Sequence, residues 1–192
     1  MTITDKVRAV KKIYSSLDKD IDLVKRKSNI RCPENCNECC TKKGILASPL
    51  EFLPLAYFLY QKRIAFLWIE KLKHQANADL CGLYNPFSEL GACQYYPYRG
   101  FICRLFGFTA NTGKKGNQVL IACSKIKTNP STILWEQKIS SPSKYPQITK
   151  YSMQLYSIDP QMSTLQLPVN DAIKYALDTM ILYFDFKNKK IV

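Results

Sequence analysis

A chain of 192 residues, 46% hydrophobic and 22% charged, can bury a core of its own, which excludes a disordered tail. Its eight cysteines are about half the density of a disulfide-stapled secreted scaffold, and Met1 to Lys12 lacks the apolar run of a secretion signal. The formal charge of +13 reads most simply as a Lys-rich solvated surface, and it also suits an acidic protein or nucleic-acid partner.

From the N-terminus, Ile3, Val7, Val10, Tyr14, Leu17, Ile21 and Val24 recur at alternating steps of four and three. That is the spacing of one helix face, predicted to pack on its own domain or, as the alternative, to form a homodimer seam. Ser28-Asn29 breaks the pattern. Ser48-Pro49-Leu50-Glu51 has the form of a capping box with Pro at the first helical position. Pro54 conflicts with one uninterrupted helix, so a short first turn and a restart at Pro54 are expected. Ile64, Leu67, Trp68, Lys71 and Leu72 then continue a helical stripe. The longest apolar stretch, Phe52 to Tyr60, is too short to span a bilayer. The predicted setting is therefore the cytoplasm, where clustered thiols read as metal ligands or redox groups before disulfides.

Leu105 to Ala110 and Gln118 to Cys123 flank a run of turn formers and predict a β-hairpin. Centred on Gly113, it would set Cys103 and Cys123 opposite each other at its open end. Trp135 and Ile139 suggest a short helix, and Ile148, Tyr151 and Leu155 another. Ile173, Ala176, Leu177, Met180 and Phe184 mark a longer one, beginning near Asn170 as a cap. No Gly-rich phosphate loop is present. The predicted fold is mostly α with a small β-hairpin, a compact single-domain helical fold organised around a Cys-rich metal centre. Residues 1–28 form the amphipathic helix, 30–125 the cysteine core and 130–192 the C-terminal helices.

The chemistry concentrates in Cys32-Pro33-Glu34-Asn35-Cys36-Asn37-Glu38-Cys39-Cys40. Polar turn formers surround every thiol, and Cys36-x-x-Cys39 is the chelate spacing of zinc knuckles and iron–sulfur sites. Adjacent Cys39 and Cys40 should point apart, which favours two neighbouring sites or one multinuclear cluster. A sparser set follows: Cys81, Cys93, Cys103 and Cys123. All eight are candidate metal ligands, as two four-cysteine centres or as one centre completed by the other set. The single histidine, His74, rules out centres that need two imidazoles and reads as an exposed helix residue. Cys32-x₃-Cys36-x₂-Cys39 shares the radical-SAM spacing, yet Glu38 stands where those enzymes carry an aromatic, and no alternating strand–helix series is visible. A dithiol switch at Cys36 and Cys39 is the remaining alternative.

Cys32, Cys36, Cys39 and Cys40, followed by Cys93, Tyr96, Arg99, Cys103 and Arg104, resemble the YkgJ-type cysteine-cluster family, a zinc- or iron-chelating domain. Cys81 and Cys123 match its remaining cysteines, and the resemblance spans residues 30 to 125. It implies metal chelation by these thiols. One branch of the family methylates protein lysine, though no cofactor-binding segment for that is recognisable here. Gly100 stands where the family usually has Pro, which would loosen the turn before Cys103. Arg99 and Arg104 are expected beside the centre, where cationic N–H donors stabilise an anionic cluster, and Tyr96 is expected to shield it by packing. The cofactor expected is an iron–sulfur cluster, 4Fe–4S, with a redox or accessory role. Zinc in a structural or nucleic-acid-binding module is the alternative.

Overall fold

The computed structural model describes residues 1–32, 36, 38–75, 80–87, 93–112, 118–128, 130 and 145–189. In chain order its elements begin with α1 (Ile3–Ser28), α2 (Glu38–Thr41), β1 (Leu46–Ala47) and a 3₁₀ turn at Pro49–Phe52. Next come α3 (Leu53–Gln61), α4 (Ala65–His74), a second 3₁₀ turn at Tyr96–Tyr98 and α5 (Phe101–Leu105). The hairpin strands are β2 (Thr109–Thr112) and β3 (Gln118–Ile121), followed by α6 (Ser124–Lys127). The chain then continues through α7 (Ile148–Ile158), α8 (Pro160–Thr164), β4 (Leu167–Pro168) and α9 (Val169–Lys189). The mostly helical class with a small hairpin holds.

α1 starts where Thr2 and Asp5 exchange hydrogen bonds across the first turn, satisfying donors the helix cannot use itself. It stops at Asn29, whose φ of 56° only a cap residue adopts readily. The seven residues of its predicted stripe are all buried, against α3, α5 and α7. The face that could have formed a seam with a second chain is thus filled from within. α9 crosses α3 and α4 and buries Ala172, Ile173, Ala176, Leu177 and Met180 completely. Each large apolar side chain so enclosed contributes on the order of 1.5–3 kcal/mol.

The Ser48 capping box forms, and the helix restarts at Leu53-Pro54 as the proline requires. α4 departs from the predicted stripe. A turn with Arg63 at φ 60° rotates the helix, so that Ala65, Trp68, Ile69 and Leu72 face inward and Leu67 is 68% exposed.

The hairpin also departs from expectation. Thr109 pairs with Ile121 and Thr112 with Gln118, which moves the centre two residues beyond Gly113. Cys103 does not lie on a strand at all, because Phe101–Leu105 is helical and Gly107, at φ 95°, turns the chain into β2. The symmetric two-strand clip is therefore wrong. A second two-stranded sheet, β1 with β4, was invisible in the sequence, since two residues per strand carry no period. The Gly113–Asn117 turn and the Trp135–Ile139 segment lie outside the described residues.

Candidate metal centre

All eight cysteines are described and all are free thiols. Cys32 and Cys36 follow α1, Cys39 and Cys40 lie on α2, and Cys81 and Cys93 sit in the loops after α4. Cys103 is on α5, and Cys123 lies between β3 and α6. Although drawn from these separate elements, several of the thiols lie within electrostatic reach of one another. After burial, the larger cause, like charge on Cys36, Cys39 and Cys123 helps hold the Cys32 thiol up at about 11. Burial and then Cys81 and Cys39 push Cys103 well up. Cys40 is pushed up by sharing its proton with Cys39, then by burial, then by Cys39, Cys81 and Cys93.

Adjacent Cys39 and Cys40 on α2 act on each other's ionisation, Cys39 being drawn down and Cys40 pushed up. Electrostatic neighbours cross the two sets read along the sequence: Cys36, Cys39 and Cys123 act on Cys32, and Cys39, Cys81 and Cys93 on Cys40.

Main-chain bonds fix this arrangement. The Cys81 N–H donates to the Cys40 carbonyl at 3.0 Å, and Cys93 bridges to Tyr84, whose own N–H donates to the Cys81 carbonyl at 2.9 Å. Asn170, expected only as a helix cap, instead lies inside the first turn of α9 and ties that helix to the Cys81 loop. Its Oδ1 accepts the Gly82 N–H at 2.7 Å, and its Nδ2 donates to the Leu80 carbonyl at 3.0 Å. Gly82 permits the close approach, since a Cβ there would meet Leu72 at 2.5 Å.

Glu51 braces the other side. Its Oε1 accepts from the Ser48 N–H at 2.8 Å and its Oε2 from the Ile102 N–H at 3.1 Å, seating α5 and hence Cys103. Burial raises its carboxyl against those hydrogen bonds. The capping box flagged Glu51, but nothing local could announce its second partner, 51 residues away. Gly100 does not loosen this region: it is buried, and a Cβ there would meet Phe52 at 2.7 Å and Glu51 Oε2 at 3.1 Å.

The two arginines divide their work. Arg99 faces the thiols and lowers the pKa values of Cys32, Cys39, Cys93 and Cys103 against other, opposing causes. Cys39 is drawn down to about 6, first by its hydrogen bond with Cys40 and then, against burial, by Arg99. Arg104 is buried and gives both Asp18 oxygens a hydrogen bond, at 2.7 and 2.6 Å. It also donates to the carbonyls of Arg99 and Pro97 and lies over the Tyr14 ring. Its guanidinium thus clips the Tyr96–Arg99 turn to α1. Tyr95 and Tyr98 supply the packing expected of Tyr96, Tyr95 edge-on to Trp68 and Tyr98 stacked on Phe58, while Tyr96 is exposed and carries Arg99 over its ring at 3.5 Å. His74 is exposed, as expected.

A cavity of about 230 Å³, lined by Cys39, Cys103, Ile102, Phe106 and Lys42, opens beside the thiols. Among the described residues no group of three or more His, Cys, Asp or Glu side chains stands ready to hold a metal ion. The donor set nevertheless fits a thiolate-held metal in kind, since its donors are thiols and the Arg99 cation lies within electrostatic reach of four of them. No helix among the described residues is long and apolar enough to cross a membrane. No family model, curated protein or solved structure matches the chain.

Proposed function

We propose that this chain is a cysteine-thiolate metal-binding protein that carries an iron–sulfur cluster in a redox or accessory role. What supports the reading is that free thiols from separate segments, Cys32, Cys40, Cys81, Cys93 and Cys103, all lie within electrostatic reach of Cys39. An ordinary set of buried cysteines has no reason to gather in this way, because burial alone scatters them through a core. The adjacency of Cys39 and Cys40 on α2 favours a multinuclear cluster, whose several metal atoms can accept neighbouring sulfurs. The resemblance to the YkgJ-type family supports the same reading.

Cys32, Cys36 and Cys123 would supply one side of the centre and Cys40, Cys81, Cys93 and Cys103 the other, with Cys39 central. Such a cluster, when bound, accepts and donates single electrons. Arg99 offsets the thiolate charge and favours the reduced, more negative state. Asn170, Glu51 and the Cys81–Cys40 main-chain bond hold the sulfur-bearing segments near their final positions, which lowers the ordering cost of binding. Zinc in the same thiolates is the second reading, since thiolates accept both metals.

Iron, sulfide and zinc analysis of anaerobically purified protein, with its visible spectrum, tests the proposal. Iron with matching sulfide and a broad visible band supports the cluster, and a colourless protein with bound zinc selects the second reading. Protein that binds neither metal after reconstitution, or a Cys39→Ser variant with unchanged metal content, overturns the ligand assignment.

A further inference from the structure

On the outer side of Cys32 an open cleft of about 570 Å³ lies between the end of α1 and the Tyr96–Tyr98 turn. That volume is in the range of small-molecule sites. Its walls carry the cations Lys25, Arg26 and Arg31 and the rings of Tyr96 and Phe108. Among the described residues Asp22 is the one carboxylate in its lining, and it is engaged by Lys25 at 3.3 Å. Lys25 and Arg26 also complement the negative end of the α1 dipole. That role does not extend to Arg31, which is exposed, lies past the helix, and has no carboxylate partner among the described residues.

The aromatic wall is arranged as a platform. Tyr96 is 38% exposed, and the Arg99 guanidinium backs its ring at 3.5 Å. Arg104 anchors that turn through the carbonyls of Pro97 and Arg99. A fixed ring backed by a cation, beside several cations and little negative charge, is the chemistry that receives a base and its phosphate.

We infer that this cleft binds a nucleotide, free or as one unit of a single strand, with the phosphate at Arg26 and Arg31 and the base on Tyr96. The inference does not depend on which metal the thiols hold, or on whether they hold one.

Binding to the purified full-length chain would be measured with ATP, inorganic triphosphate, a labelled single-stranded decamer and the matching duplex across a range of salt. ATP should bind more tightly than triphosphate, and the single strand more tightly than the duplex. A strand favoured well over ATP assigns the polymer as the source, and comparable affinities assign the free nucleotide. Tyr96→Ala should weaken binding roughly tenfold, the scale of one lost stacking contact. Arg31→Gln should reduce the salt slope for the strand by about 0.7, one phosphate contact. Both residues are exposed, so circular dichroism should not change. Equal binding of triphosphate and ATP, or of duplex and single strand, would overturn the inference in favour of a general basic surface. So would full affinity in both variants, or no binding at low salt.

Discussion

Two regions of this molecule are held together in different ways. Where α1, α3 and α9 meet, long helices bury continuous apolar faces, with Val10, Leu17, Leu59, Ile173 and Leu177 wholly enclosed. Around the cysteines the elements are short: α2 has four residues and α5 has five. There the arrangement rests on a few hydrogen bonds: those of Asn170 and Glu51, which reach in from the helical region and its capping turn, and those of Arg104, which reach out from α5 to Asp18 of α1. The helical region can therefore fold on hydrophobic burial alone, whereas the thiol region takes its shape from contacts with that scaffold and, on our proposal, from metal.

The largest effect should come from breaking the scaffold. Leu17→Ala removes a fully buried side chain and should cost about 2–5 kcal/mol in denaturant unfolding. The metal bound per folded molecule should not change, and a proportionate loss would mean that the two regions are not separable. Asn170→Ala should cost less, about 1–3 kcal/mol, by leaving the Gly82 N–H and Leu80 carbonyl without their partner. Unlike Leu17→Ala, it should lower metal uptake in molecules that remain helical by circular dichroism.

A smaller, pH-dependent effect belongs to Glu51. Burial raises its carboxyl above the ordinary glutamate value, so the folded chain holds that proton to higher pH than the unfolded chain does. Its stabilising contribution is complete below the unfolded value and is lost as pH rises through the folded one. The melting temperature of Glu51→Gln should therefore gain on that of the native chain between acid and neutral pH. A constant offset between the two would remove this group from the account. The smallest effect on stability, and a diagnostic one, is reactivity. In metal-free protein Cys39, drawn down to about 6, should be the first thiol alkylated by iodoacetamide at neutral pH, as read by mass spectrometry. Arg99→Gln should slow that modification while changing stability by no more than about 0.5 kcal/mol.

Much of the scaffold was legible because helices write their period into the sequence. The α1 stripe, the restart at Pro54 and the Ser48 capping box each depend on neighbours one or two turns apart. Leu67 was misjudged because the turn at Arg63 resets the helical phase, which a stripe extended across it ignores. At the site, the eight sulfurs and their likeness to a chelating family were visible, but their grouping was not. Arg104 was placed beside the thiols by its neighbour Cys103, yet its guanidinium turns away to Asp18, 86 residues earlier in the chain.

The sequence by itself determined that this chain would be mostly helical and which eight residues carry thiols, because periodicity and residue type are local properties. Only the tertiary structure decided which thiols are neighbours, which arginine faces them, and that Asn170 steadies the Cys81 loop. Those are distances between segments far apart in the chain, set by how the helices pack, and no local pattern encodes them.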